Sequence, residues 1–276
     1  MGSIIDKVHI TRNQGRRGYM HTGSTAINRC LRKAGMGLEN VGVLINAGVY
    51  PDNYLQEPAF ASMLQGKAQS RRNGKPENMF SFDLHEGGGG MIMAFRILNG
   101  FLESGKIENG MVVAGDAVNY SELAGAVLLT KGKPGMGFEQ FSQDTYPEYS
   151  DDYSSYTKYL DGELKSFINQ SDKYLDHCIT CIKASIAGFL KKEQLRMEDI
   201  HLIVSSQSPK GVARRLYELY PGDKVSGIDD GPEVYSAGLV YSLDLAMNNQ
   251  RFTHAKRILF VSVGAGISVS LALYRN

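Results

Sequence analysis

Phe80-Ser81-Phe82-Asp83-Leu84-His85-Glu86-Gly87-Gly88-Gly89-Gly90-Met91 is the stretch on which the fold turns. A short apolar run of strand character breaks into four glycines. Apolar residues then recur at helical spacing: Met91, Ala94, Phe95 and Leu98. The pattern predicts a strand over 79–84, a sharp turn, and a helix over 90–103. Many α/β enzymes mount a nucleophile on such a turn, because the start of a helix offers free N–H groups and a partial positive charge. This turn carries neither Cys nor Ser.

The same grammar continues on both sides. Upstream, residues 3–11 alternate weakly and read as a first strand, broken by Gly15-Arg16-Arg17-Gly18. Thr25 to Ala34 reads as a helix closed by Gly35 and Gly37. Val41 to Asn46 is a continuous apolar run of strand length, the mark of a strand covered on both faces. Pro51 and Pro58 bracket a loop, Ala59 to Gln65 is a short helix, and Gln69 to Asn78 is a basic surface loop. Downstream, Gly110–Gly115 and Ala124–Thr130 are buried strands. Residues 133–160 change character, with Tyr146, Tyr149, Tyr153, Tyr156 and Tyr159 set among Gly, Pro, Ser and Asp. They read as a partly ordered connecting segment.

The second half repeats the first. Helices are expected over Lys173–Phe189, Lys210–Leu219 and Val234–Asn248, with strands over Ile200–Ser205, Arg257–Val263 and Ile267–Tyr274. Each half ends with a helix, a buried strand, a small-residue turn and a final strand. The alternation predicts an α/β protein with mostly parallel sheets, built from an internal duplication. The expected division is 1–132, 133–160 and 161–276.

Composition narrows the function. The chain has 276 residues, 42% of them apolar and 21% charged, with a net charge of +1. That balance gives no support for nucleic-acid binding. No window nears 18 uninterrupted apolar residues, so no membrane span is expected. The N-terminus lacks the layout of a secretory signal, and Lys7 spoils a myristoylation match. Three cysteines make no disulfide framework. Together these point to a reduced, cytoplasmic setting.

Isolated motifs carry little. The glycines lack the Gly-Lys-Ser/Thr ending of a phosphate loop, and Ile92 stands where a dinucleotide fingerprint starting at Gly87 needs glycine. His85 and Glu86 are suited to proton transfer, but neighbours at a strand end point in opposite directions. Cys178 and Cys181 lie in a helical pattern without a second pair, so a zinc site would need His177 or a distant donor. They and Cys30 read as small core residues. The tyrosines of 146–159 have too few basic neighbours for base stacking and suit a packed or partner-facing segment.

In combination the residues resemble the thiolase superfold, and within it beta-ketoacyl-ACP synthase III. The resemblance rests on Val43-Leu44-Ile45-Asn46-Ala47-Gly48-Val49-Tyr50, Phe82-Asp83-Leu84, Gly115-Asp116, Tyr159 to Lys165, and Gly264-Ala265-Gly266. It covers nearly the whole chain. It implies two duplicated βαβαβαββ halves in an α-β-α-β-α layering. It also implies dimer pairing across the strand at 79–84 and no cofactor.

The family carries a Cys nucleophile on the turn, with a His and an Asn from the second half. Their positions fall on Gly88, on Ser206 within Val204-Ser205-Ser206-Gln207, and on Glu233 or Val234. All three residues are absent, and glycine forms no thioester. The chain also has no Trp, which such enzymes can place against a coenzyme A adenine. Two expectations follow from the resemblance. One is a non-catalytic subunit paired with an active ketoacyl synthase or with itself, in contact with acyl carrier protein or acyl-CoA. The other is an acyltransferase or hydrolase with reassigned residues, Ser206 as nucleophile and His85 and Glu86 as acid–base groups.

Overall fold

The computed structural model describes residues 2–12, 18–69, 79–120, 123–227 and 233–276. The expected break at 15–17 and the loop at 70–78 lie outside the described residues.

The first half runs β1 (Ser3–Arg12), α1 (Gly18–Lys33), β2 (Val43–Asn46), α2 (Phe60–Gln69), β3 (Phe80–Asp83), α3 (Gly90–Glu103), β4 (Asn109–Gly115) and β5 (Leu123–Lys131). The second runs β6 (Gly137–Thr145), a hairpin of β7 (Tyr153–Leu160) and β8 (Glu163–Gln170), then α4 (Tyr174–Lys192) and β9 (Leu202–Ser205). It closes with α5 (Val212–Leu219), β10 (Val225–Ser226), α6 (Gly238–Asn248), α7 (Arg251–His254), β11 (Arg257–Gly264) and β12 (Ser268–Arg275).

Among the described residues there are two five-stranded sheets, ordered β1-β5-β4-β2-β3 and β6-β12-β11-β9-β10. Replacing each strand of the first by its counterpart gives the second, so the duplication read from the sequence is present in the topology. Even the turns before β2 and β9 correspond: the amide of Gly37 donates to Asn40 at 3.1 Å, and that of Arg196 to Asp199 at 2.8 Å.

Strand periodicity assigns the layers. Val43, Ile45, Val112, Val127 and Leu129 of the first sheet and Leu202, Val204, Ile258, Phe260 and Ala272 of the second share one core with α3 and α6. Leu44, Met111, Val113, Ala126 and Leu128, on the opposite face, pack on α1 and α2. Ile203, Leu259, Val261, Leu271 and Leu273 pack on α4 and α5. Side chains alternate across a strand, so each sheet is apolar on both faces and takes helices on both. The layering is α1/α2, sheet, α3/α6, sheet, α4/α5.

Four expectations change. The sheets are mixed: β2 is parallel to β3 and β4, and β9 to β10 and β11, while β4–β5, β1–β5, β11–β12 and β12–β6 are antiparallel. The connections from β4 to β5 and from β11 to β12 are too short for a crossover, which forces the antiparallel pairs. Residues 133–160 carry β6, an edge strand of the second sheet, and β7. The helix predicted from Val234 begins at Gly238, because the Ser236 amide is held by the Asp116 carboxylate at 2.8 Å.

Helix α1 begins well before Thr25. The amide of Met20 is capped by the Asp52 carboxylate at 2.6 Å, a donor–acceptor pair 32 residues apart that no local pattern reveals. No helix of the described residues is long and apolar enough to cross a membrane.

Candidate functional site

The site is built around the exit of β3. Asp83 ends that strand and accepts hydrogen bonds from the amides of Phe60 and Ala61 at 2.6 and 2.8 Å, capping α2. It also accepts from Asn46 Nδ2 at 2.9 Å, while Asn46 Oδ1 takes the Tyr19 hydroxyl at 2.5 Å and the Gly48 amide at 3.0 Å. The Phe-Asp-Leu signature thus anchors the strand end to α1, β2 and α2.

Beyond it, Gly87–Gly89 form a 3₁₀ turn that enters α3 at Gly90. Gly87 needs its lack of a side chain for conformation, with φ of +48°. Gly88 needs it for space: a Cβ there would stand 2.3 Å from the carbonyl oxygen of Val263. The Ser262 hydroxyl donates to the carbonyl oxygen of Gly88, so the turn is stitched to the end of β11. At Gly89 a Cβ would meet Ser270 Oγ at 3.0 Å and Glu86 Oε1 at 3.1 Å.

His85 and Glu86 part ways. His85 is exposed and stands in the wall of a surface cavity. Glu86 turns inward, where its Oε1 accepts from the Gln143 side-chain amide and from Ser270 Oγ at 3.4 Å. Its Oε2 is buried without a partner. Burial raises the Glu86 pKa, and the Ser270 bond opposes that shift.

Ser206 follows β9 and is buried, with its amide on the Val261 carbonyl at 2.9 Å and its hydroxyl on the Ser208 carbonyl at 3.3 Å. Glu233 accepts from Ser208 Oγ at 2.6 Å. Val234 is buried in the inter-sheet core. Ser206, Ser208 and Glu233 therefore gather on one side, and no hydrogen bond among the described residues joins Ser206 to His85. The Ser206–His85 pair posed as a nucleophile and its base is not formed in this geometry.

Tyrosines fill the space between. The Tyr235 ring stacks on Tyr120 at 4.7 Å and meets Tyr50 edge-on at 5.5 Å. The Tyr153 hydroxyl lies 2.9 Å from that of Tyr50 and 2.7 Å from that of Tyr120. Tyr235 Oη would be 3.1 Å from a Cβ on Gly87. Burial raises the pKa of Tyr120, Tyr153 and Tyr235, keeping these hydroxyls protonated. The cluster was not anticipated from the sequence, because its members come from four separate segments.

Asp116 joins the two halves beneath this cluster. It accepts from the Ser236 amide at 2.8 Å, the Ser236 hydroxyl at 2.7 Å and the Tyr50 amide at 3.3 Å. Its pKa is pushed up to about 6 by burial, against the pull of those hydrogen bonds. One signal for it was legible: an acidic residue at the carboxyl end of a buried strand, where α/β sheets place their sites.

The cavity beside His85 has a volume of about 520 Å³ and is walled by the 49–56 loop and the β7–β8 hairpin. Val49, Tyr50, Tyr54, Leu55, Ser155, Tyr156, Thr157 and Ser166 line it; Gly88, Ser206 and Glu233 do not.

The cysteines are core residues. Cys30, Cys178 and Cys181 are buried, and burial pushes their thiols up to about 12, 12 and 11. His177 is engaged elsewhere, 2.5 Å from the Asp152 carboxylate and stacked on Tyr149 at 4.4 Å. Among the described residues no three His, Cys, Asp or Glu side chains gather as a metal site.

Comparison with known proteins places this geometry. No family model matches the chain. It is 22% identical over 274 residues to the beta-ketoacyl-[acyl-carrier-protein] synthase III of Clostridium perfringens, covering 91% of this chain and 82% of that protein. Its backbone superposes on OleA of Xanthomonas campestris, in a crystal structure with bound lauric acid and lauroyl-CoA, with a TM-score of 0.83 at 15% identity, over 100% and 99% of the two chains. The 3-oxoacyl-(acyl carrier protein) synthase III of Pseudomonas aeruginosa gives a TM-score of 0.84 at 14% identity, over 100% and 98%. The chain is similar over most of its length to beta-ketoacyl-ACP synthase III and has the thiolase-like fold that these synthases share with OleA.

Proposed function

We propose that this chain is a catalytically degenerate homologue of beta-ketoacyl-ACP synthase III. Its role is that of a non-catalytic partner subunit in a heteromeric acyl-condensing enzyme of fatty-acid-like or specialised-metabolite biosynthesis. One observation carries the reading: the Val263 carbonyl oxygen is 2.3 Å from where a side chain at position 88 would begin. A side chain at position 88 would collide with backbone from the other half of the molecule. A thioester intermediate needs a thiol or hydroxyl there. Ser206 and Glu233 or Val234, at the other two family positions, supply neither the His nor the Asn.

The partner surface in this reading is the free edge of β3. Phe80 and Leu84 donate their amides to Gly42 and Asn46, toward β2. Alternation along a strand turns the Ser81 and Asp83 amides outward. Phe80 is 58% exposed, and its ring lies 5.0 Å from that of Phe82 at a tilt of 34°. An unpaired edge with an exposed aromatic residue is a template for a second strand. The acyl group on the active subunit is delivered by acyl carrier protein or acyl-CoA. The alternative, an acyltransferase or hydrolase using Ser206, His85 and Glu86, gains no support from a serine whose hydroxyl is held by Ser208.

The test is co-expression of the tagged chain with an active synthase from the same cell, followed by intact-mass analysis with an acyl-CoA. The expected result is a complex in which acyl mass appears on the synthase alone. Covalent acyl mass on this chain, or condensation by this chain in isolation, overturns the reading.

A further inference from the structure

The cavity between the 49–56 loop and the β7–β8 hairpin lies apart from Gly88, Ser206 and Glu233 and takes no part in the role proposed above. Its two walls differ in chemistry. The loop supplies Val49, Pro51 and Leu55 together with Tyr50 and Tyr54. The hairpin supplies the hydroxyls of Ser155, Thr157 and Ser166. Thr157 and Ser166 are directly opposed across the ribbon, so their side chains share one face.

Both walls are set in advance of a ligand. Tyr50 is buried, with its hydroxyl 2.9 Å from that of Tyr153 and its amide held by Asp116 at 3.3 Å. Tyr54 holds a φ of +55°, a left-handed backbone that is costly for a bulky side chain, and such outliers cluster at ligand sites. On the hairpin, Asn119 Nδ2 donates to Ser166 Oγ at 2.7 Å. That bond uses an acceptor position of the hydroxyl and leaves its proton for another partner.

The lining selects by exclusion. It holds no Asp, Glu, Lys or Arg, and its one imidazole, His85, is exposed to solvent. An ionised ligand would lose water there without gaining a buried counter-charge. A saturated alkyl chain would cover the three hydroxyls and leave them unpaired. A sugar would turn hydroxyls toward Val49, Pro51 and Leu55, which offer no partner. A neutral aromatic ring with a phenol or amide at its edge satisfies both walls. The volume of about 520 Å³ falls within the range of small-molecule sites, about 300–1,000 Å³.

We infer that this cavity binds a neutral hydroxylated aromatic compound, with the ring against the 49–56 loop and the polar edge on Thr157 and Ser166. The inference holds whether or not the chain pairs with a synthase.

Four probes test it: 4-hydroxybenzamide, 4-hydroxybenzoate, octanamide and methyl glucoside. Amide resonances of the isotope-labelled full chain, followed during titration with each, give location and affinity together. The expected result is that 4-hydroxybenzamide shifts resonances of 49–56 and 155–166 and binds about tenfold or more tightly than the other three. Thr157→Val/Ser166→Ala should weaken that binding about tenfold, the loss of one good hydrogen bond, with an unchanged melting curve. Equal or tighter binding of 4-hydroxybenzoate, octanamide or methyl glucoside overturns the inference. So does the absence of shifts in both segments at about 10 mM 4-hydroxybenzamide, well above the roughly 1 mM expected of a weak small ligand. Unchanged affinity in the double variant overturns the assigned polar edge.

Discussion

The carbonyl oxygen of Val263 stands 2.3 Å from the ideal Cβ position of Gly88, and the Ser262 hydroxyl donates to the Gly88 carbonyl. The end of the second sheet is thereby locked onto the turn that opens α3. The contact is with backbone, which cannot swing aside as a side-chain tip can. Gly88→Cys is therefore expected to cost about 1–3 kcal/mol as an overpacked substitution and to gain no acyl-transfer activity. Urea unfolding reads the first outcome and intact mass after incubation with an acyl-CoA reads the second. A stable, acylated variant would show that only the missing thiol had silenced the site.

Ser81 tests the edge of β3. Proline is tolerated on an edge strand where the lost amide faces outward. Since Phe80 and Leu84, not Ser81, donate toward β2, Ser81→Pro should leave the monomer fold intact. It should abolish association through this edge. Circular dichroism and sedimentation velocity, run side by side, separate these effects. Loss of the monomer fold would mean that β3 has no free edge of the kind described.

Asp116 gives a pH dependence with a defined sign. Its folded pKa of about 6 lies above the ordinary carboxylate value of 3.8, because burial outweighs its hydrogen bonds. The folded state holds a proton that the unfolded chain has released. Its contribution to stability is thus full below about pH 4 and is lost as pH rises through 6, a decline of roughly 3 kcal/mol over two pH units. Asp116→Asn should flatten the curve between pH 4 and 6. It should also lower stability at pH 5, since an amide nitrogen must face one of the Ser236 or Tyr50 donors. Urea midpoints across that range decide it; an unchanged slope in the variant would assign the titration elsewhere.

Tyr153 bridges the hydroxyls of Tyr50 and Tyr120 at 2.9 and 2.7 Å. Tyr153→Phe leaves the other two hydroxyls short of a partner and is expected to destabilise by about 1–3 kcal/mol. The ring packing survives, so the near-ultraviolet spectrum should change little while the unfolding midpoint falls. A neutral effect would mean that water replaces the lost hydroxyl.

Much of the architecture was open to a reading of the chain alone. The continuous apolar runs at Val41–Asn46 and Arg257–Val263 are buried on both faces, and such runs have few alternatives. The helical spacing from Met91 to Leu98 lies in α3 as expected. The hairpin at 153–170 was not legible, since Ser, Thr, Tyr and Lys on an exposed ribbon make no clean alternation. Nor was β10, a two-residue strand defined by its neighbour β9.

By itself the sequence determined the alternation of strands and helices, its repetition in two halves, and a strand-to-helix turn without Cys or Ser, because hydrophobic periodicity and residue identity are local properties. Tertiary structure alone decided how much room the turn leaves and which side chains face it. The Val263 carbonyl closes on Gly88 from 175 residues away, Glu86 and His85 diverge, and four tyrosines from separate segments cluster, with Tyr235 reaching the turn. Those contacts depend on how the two halves dock across one shared core, and no short-range pattern encodes that docking.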